Sequence, residues 1–204
     1  MYTTSNNILI ILANVDSEAN LRNQKINEFC KIFGEKCLSN GASVEIIDLT
    51  LDYQNPQNFT ISDSKIIEYQ IKIKNSHKII VFHDICWQNI PAILSDFLAR
   101  VLTNTFAFER IRGQNRGLLD QKLLVLAFGE TSNFGQKMIY GNILGNFWQR
   151  VIANSCGFGC DFNYFGNFRK ANDLEIDKWK QKIENLADQY SSQFSFEKAL
   201  NKTK

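Results

Sequence analysis

Apolar runs and helical repeats alternate along this chain. Ile8 to Leu12 is a continuous aliphatic run, Val44 to Leu49 a second, and Ile79 to Phe82 a third that shows no clean apolar and polar alternation. Leu123 to Phe128 and Cys160 to Phe165 follow. Runs of this length and composition predict strands, and the unbroken ones suit a parallel sheet covered on both faces. Between them the apolar positions step by three and four. Ile26, Phe29, Cys30, Phe33 and Cys37 share one helical face, and Asn40-Gly41 supplies a residue able to take positive φ at its end. Ser64 to Ser76 reads as a helix. Pro91 opens another, in which Ile93, Leu94, Phe97, Leu98, Val101 and Leu102 recur. A helix from about Gly141 carries Ile143, Leu144, Phe147, Trp148, Val151 and Ile152, and a last one carries Ile176, Trp179, Ile183, Leu186 and Tyr190.

Strand, helix and strand at these spacings make βαβ crossovers, which are parallel and right-handed. The whole pattern predicts an α/β three-layer sandwich with a five-stranded parallel sheet, most simply in the flavodoxin-like order 2-1-3-4-5. One domain over residues 1–204, with a core from about 8 to 190, accommodates it. Asp52 to Asp63 turns to Asn, Gln, Pro and Tyr and reads as an irregular excursion. The segment ERIRGQNRG after Phe108 reads as a solvated hairpin, an Ω-like loop or a partner-binding tip.

Composition narrows the function classes. With 204 residues, 44% hydrophobic and 22% charged, the chain is long enough for a full core. A net charge of +2 without a basic block gives no footprint for nucleic acid or an acidic membrane surface. No apolar stretch reaches membrane-spanning length, so a cytoplasmic protein is expected. Five cysteines, mostly within apolar patterns, read as reduced thiols. Cys156 and Cys160 are spaced CxxxC, but the histidines are only His77 and His83, and no metal site is expected.

In the expected strand order the loops after strands one, three and four converge at the carboxyl edge, where open α/β sheets bind ligands. They are Asn14 to Asn20, His83 to Asn89, and Gly129 to Tyr140. The first loop has neither GxGxxG nor GxxxxGK[ST], so it lacks the glycines of Rossmann dinucleotide or P-loop sites. Ser17 and Asn20 stand at a helix start, where they serve either as a cap or as donors to a phosphate beside the helix dipole. Trp87 offers a flat wall for a ring system or packs on the following helix, and the peptide N–H groups from Ile85 to Gln88 are placed to meet a ring edge. Tyr140 is a candidate phenol for proton chemistry or an amphipathic surface residue.

These loops belong to a recognisable series: Trp87-x-x-x-Pro91-Ala92-Ile93-Leu94, Arg100-Val101-Leu102, Phe106-Ala107-Phe108, and Gly117-Leu118-Leu119-x-x-Lys122. In order and spacing the series resembles the flavodoxin-like NAD(P)H dehydrogenase (quinone) family, which includes ancillary oxidoreductases of potassium efflux systems. The resemblance spans roughly Ile8 to Lys170. It implies a flavin, FMN or FAD, with NAD(P)H as electron donor and a quinone-like acceptor. By the match, Ser17 and Asn20 hold phosphate, while Ile85, Cys86, Trp87 and Gln88 line the ring with Phe128, Gly129 and Glu130 of the third loop. Gly129 is expected to allow close backbone approach. The resemblance further implies a homodimer, with Phe106 and Phe108 at the substrate pocket, where they are either covered by a partner or folded back on their own core.

The chain also departs from the family. Asn14-Val15 replaces a His-Pro pair, Asp84 replaces a proline, and the third-loop threonine and paired glycines are replaced across Ala127, Phe128, Gly129 and Glu130. Phe134 and Tyr140 stand where many members carry Tyr and His. The leading expectation is a flavin-dependent NAD(P)H:quinone-type oxidoreductase with ping-pong hydride transfer, Tyr140 stabilising charge on the reduced ring. The alternative is a regulatory or non-catalytic subunit on the same fold.

Overall fold

A continuous aliphatic run is satisfied only where both faces of its strand are covered, and the computed structural model buries all seven residues of its central strand. It describes residues 6–14, 21–52, 62–85 and 87–192. The strands are β1 (Asn7–Ala13), β2 (Ser43–Asp48), β3 (Lys78–Asp84), β4 (Phe108–Ile111), β5 (Gln114–Gly117), β6 (Lys122–Phe128) and β7 (Gly159–Phe165). Five of them form one parallel sheet in the order β2-β1-β3-β6-β7. Its strand numbers differ from the expected 2-1-3-4-5, because β4 and β5 take two numbers and pair only with each other. Their hairpin turns at Arg112 and Gly113, both at positive φ (51° and 81°). Two successive left-handed residues match the twist of a tight hairpin.

The helices are α1 (Leu21–Ser39), α2 (Leu49–Asp52), α3 (Asp63–Asn75), α4 (Ala92–Val101), α5 (Asn133–Met138), α6 (Ile143–Asn146), α7 (Asn154–Cys156) and α8 (Asp173–Ser191), with a π-helix over Phe147–Ala153. On one face of the sheet, Leu9, Ile11, Ile79, Val81, Leu123 and Val125 meet Tyr69, Leu94, Phe97 and Trp148. On the other, Ile8, Ile10, Ile80, Phe82, Leu124 and Leu126 meet Phe29 and Phe33 of α1 and Ile183 of α8. Each fully buried aliphatic side chain stabilises the fold by about 1.5–3 kcal/mol.

Capping sets the helix ends. After α1, the Ala42 N–H reaches Cys37 O at 3.1 Å and the Gly41 N–H reaches Leu38 O at 2.9 Å, with Gly41 at φ +83°. These are the two bonds of a Schellman cap. Asn172 and Glu175 form a reciprocal capping box at the start of α8. At its other end, buried Lys78 donates to the carbonyls of Tyr190 and Ser192. A cation there satisfies orphan carbonyls at the negative end of the helix dipole.

The region after Gly129 differs most from expectation. Its polar loop contains α5, opened by Ser132, whose Oγ accepts the Gly135 N–H at 3.0 Å. The single helix expected from Gly141 is α6 running into the π-helix. Burial then passes from Leu144 to Trp148 to Ala153, while Val151 is exposed. A step of five follows the i→i+5 winding of a π-helix, so Ala153 takes the inward position that α-helical spacing assigns to Val151 and Ile152.

Candidate functional site at the carboxyl edge of the sheet

Strand register brings the second and third loops together. His83 of β3 lies between Ala13 of β1 and Ala127 of β6, and Asp84 is opposite Phe128. The pairing continues one residue further, because the Ile85 N–H donates to Phe128 O at 2.9 Å. Trp87 and Gln88 then turn the chain at φ +51° and +60°. Left-handed backbone costs a non-glycine residue roughly 1–2 kcal/mol, so two in succession must be held by their surroundings. The Gln88 Nε2 donates to Thr131 Oγ1 at 2.8 Å. Its Oε1 is buried and has no hydrogen-bond partner among the described residues. Trp87, next to it, is 96% exposed.

The third loop is fixed from its other side by the end of β7 and the segment that follows it. Tyr164 Oη donates to Thr131 O at 2.7 Å, and the Asn167 N–H donates to the same oxygen at 3.2 Å. Burial pushes the Tyr164 phenol up to about 12, so it keeps the proton that it donates. The Gly129 N–H reaches Phe165 O and the Gly129 O accepts from Phe168, both at 3.0 Å. Glu130 Oε2 accepts the Arg169 N–H at 3.1 Å, and Asn133 Oδ1 accepts the Gly166 N–H at 3.2 Å.

Beneath the second loop lies a buried pair. His83 is fully buried, and its Nε2 accepts from Trp148 Nε1 at 3.2 Å. An indole N–H can only donate, so the imidazole proton sits on Nδ1, which bonds Asp84 O at 2.7 Å. Burial lowers the His83 pKa to about 4, opposed by the Asp84 carbonyl. The imidazole is therefore neutral and ties the π-helix to the sheet edge.

Among the described residues, no group of three or more His, Cys, Asp or Glu side chains could hold a metal ion. Cys156 and Cys160 have pKa values pushed up to about 11 and about 12, mainly by burial. No helix among the described residues is long and apolar enough to cross a membrane.

A family model described as "Flavodoxin-like fold" matches residues 6–193. The chain belongs to the flavodoxin-like fold family. Within that fold it is similar to the NAD(P)H:quinone oxidoreductase of Methanothermobacter marburgensis, at 14% identity and a TM-score of 0.72 over 90% of this chain and 98% of that one. It is similar also to an FMN-dependent NADH-azoreductase of Bacillus anthracis solved in complex with FMN, at 16% identity and a TM-score of 0.68 over 92% and 100%. Among curated proteins it matches ribosyldihydronicotinamide dehydrogenase (quinone) of Rattus norvegicus, 30% identical over 100 residues. That match covers 47% of this chain and 43% of the relative, less than half the relative's length.

The flavodoxin-like frame places the expected site residues that are among the described ones. Ser17, Asn20 and Cys86 lie outside the described residues. Trp87 and Gln88 stand together at the edge. The Ile85 N–H, expected to meet a ring edge, is engaged with Phe128 O, and the Ile85 side chain is buried toward Gly129. Gly129 differs from its expected use as well. A Cβ there would lie 2.6 Å from Tyr164 Oη, and both of its backbone groups are bonded, so the missing side chain makes room for Tyr164. Phe128 points its ring into the α1 and α8 layer. Glu130 is exposed and faces the backbone of Arg169. Tyr140 is 40% exposed, with Phe134, Met138 and Ile139 also exposed nearby in sequence. Phe106 and Phe108 are half-buried and pack against the core.

Sequence reasoning missed His83, Trp148, Thr131 and Tyr164. His83 follows a buried strand and Trp148 sits on an apolar helix face, but the bond between them spans 65 positions in the chain. Thr131 and Tyr164 carry no motif, and only the sheet order brings them together.

Proposed function

We propose that this chain is a flavin-dependent oxidoreductase that takes hydride from NAD(P)H and reduces a small quinone-like acceptor. The observation that carries the reading is the exposed Trp87 indole beside a fixed Gln88 amide, whose buried oxygen has no partner among the described residues, at the carboxyl edge of a flavodoxin-like sheet. A flat ring with a polar edge fits that pair, since the indole offers a stacking face and the amide oxygen an acceptor for a ring N–H. Ser17 and Asn20 would hold the phosphate at the start of α1. FMN or FAD, when bound, supplies hydride acceptance and release at one ring position.

The chain's own residues position and polarise. Trp87 orients the ring plane, and Tyr140 holds a proton at Oη for a hydrogen bond to developing negative charge. NAD(P)H and acceptor would use one pocket in turn, which is ping-pong exchange. The acceptor side draws on Phe106, Phe108 and the exposed apolar run at Phe134, Met138 and Ile139. That run also offers a second copy the apolar surface for a homodimer.

Purified protein loaded with FMN or FAD is expected to consume NAD(P)H faster once a benzoquinone is added. Tyr140→Phe should slow that turnover by about tenfold to a hundredfold, the effect of losing one hydrogen bond to a charged group, and leave flavin affinity nearly unchanged. Equal reduction rates in rapid mixing contradict the role of Tyr140. A second reading, a binding subunit without turnover, draws support from the engaged backbone groups of Ile85 and Gly129. It predicts flavin-loaded protein whose NAD(P)H consumption does not respond to quinone.

A further inference from the structure

Thr131 joins the parts of the carboxyl edge that the proposed flavin site needs. Its Oγ1 accepts from Gln88 Nε2 at 2.8 Å, while its backbone oxygen accepts from Tyr164 Oη at 2.7 Å and from the Asn167 N–H at 3.2 Å. The residue has little room to shift. A Cβ added at Gly166 would lie 2.4 Å from Thr131 O, and one added at Gly135 would lie 2.9 Å from Thr131 Cγ2. Thr131 is thus pinned to the end of β7 and the start of α5, and its hydroxyl reaches across to the second loop.

The second loop has need of such an anchor. Trp87 and Gln88 are successive non-glycine residues at φ +51° and +60°, a conformation that persists only where surrounding structure over-determines it. The Trp87 side chain is almost wholly in solvent and has little packing of its own to hold the turn. The neighbouring Gln88 does, through one side-chain hydrogen bond to a fixed oxygen.

We propose that Thr131 is a positioning residue: its hydroxyl locks the Trp87–Gln88 turn in the left-handed conformation that displays the indole, so that a flat ligand meets a preset stacking face. The proposal rests on the flavin reading for the identity of that ligand, but the locking itself is a property of the free protein. Thr131→Val keeps the side-chain shape and removes the acceptor. Thr131→Ser keeps the acceptor and removes a methyl group. Gln88→Met removes the donor from the other side.

Hydrogen exchange of the full chain without flavin, read by mass spectrometry, separates the outcomes. In Thr131→Val the amides of residues 87–90 are expected to exchange about tenfold faster, the scale of one lost neutral hydrogen bond. Strands β3 and β6 should stay protected, and Thr131→Ser should match the parent. Gln88→Met should reproduce the Thr131→Val effect, and the double variant should add nothing to it; should Thr131→Val fail to fold, Gln88→Met against the parent carries the same decision. Unchanged exchange at 87–90 in both single variants overturns the proposal, as does faster exchange throughout the chain in Thr131→Ser. FMN binding to the same proteins gives a separate result. Faster local exchange in a protein that binds no flavin upholds the lock and removes the flavin reading, whereas flavin binding equal in parent and Thr131→Val, with unchanged exchange, removes the lock alone.

Discussion

Phe128→Ala is expected to destabilise the protein by about 3–5 kcal/mol, the usual cost of emptying a buried aromatic position. Phe128 is fully buried at the end of β6. Its ring stacks on Phe165 at 4.8 Å, on Phe29 at 5.7 Å and on Phe82 at 6.3 Å between centroids, and meets Phe168 edge-on at 5.2 Å. One side chain thus ties α1, β3, β7 and the segment after β7 together directly below the third loop. Aromatic pairs add about 0.5–1.5 kcal/mol beyond burial, which places the loss in the upper part of that range. Phe134→Ala, at a position 70% exposed, should stay within about 0.5 kcal/mol of the parent. Urea unfolding of both variants checks the contrast. A loss below about 1 kcal/mol for Phe128→Ala contradicts the ring cluster as the anchor of this edge.

The second large effect is a dependence of stability on pH that belongs to His83. Its folded pKa is about 4, against an ordinary 6.5, because burial disfavours the imidazolium and outweighs the Asp84 carbonyl. The unfolded chain therefore binds the proton first as pH falls. The stability associated with the neutral ring is fully present above about pH 6.5, is lost progressively toward pH 4, and changes no further below that, with a total of about 3 kcal/mol. His83→Gln retains an acceptor for the Trp148 N–H and a donor for the Asp84 carbonyl but does not titrate. Its stability should vary less across the same window, even if it is lower near neutral pH. Denaturant midpoints measured at a series of pH values, parent against variant, read the difference directly. Parallel curves mean that His83 is not held neutral.

What the amino-acid pattern reveals about this fold follows from what holds each part together. Strands β1, β3 and β6 are legible because a strand covered on both faces must be apolar nearly throughout. The long helices are legible because each buries one face at three and four residue steps, as Ile26, Phe29, Cys30, Phe33 and Cys37 do in α1. The hairpin of β4 and β5 remained one of several possibilities, since Arg112 adopts a left-handed φ that its side chain does not announce. The π-helix was invisible for a related reason. Its i→i+5 bonding is a backbone property, and Leu144, Phe147, Trp148, Val151 and Ile152 also satisfy an ordinary helix.

The candidate site divides in the same way. Trp87 and Gln88 stood out because the loop follows a buried strand and precedes a proline-opened helix. Tyr140 stood out as a phenol in the third loop, and Phe106 and Phe108 through family resemblance. The residues that shape the edge did not stand out, because they act through hydrogen bonds between distant positions. Thr131 and Gln88 are 43 residues apart, and Tyr164 is 33 from Thr131. Gly129 has a physical role different from the one its position suggests. A glycine at the mouth of a loop suggests room for a ligand, whereas here the room is filled by the Tyr164 phenol.

In the proposed site the carboxyl edge holds a flavin against Trp87. Equilibrium titration of FMN and of FAD into flavin-free protein, followed through flavin fluorescence, tests it in parent and Trp87→Ala side by side. The account predicts saturable, equimolar quenching by at least one flavin in the parent, and binding about tenfold weaker in the variant, the scale of one aromatic stacking contact. Absence of saturable binding of either flavin to the parent, or equal affinity in Trp87→Ala, contradicts it.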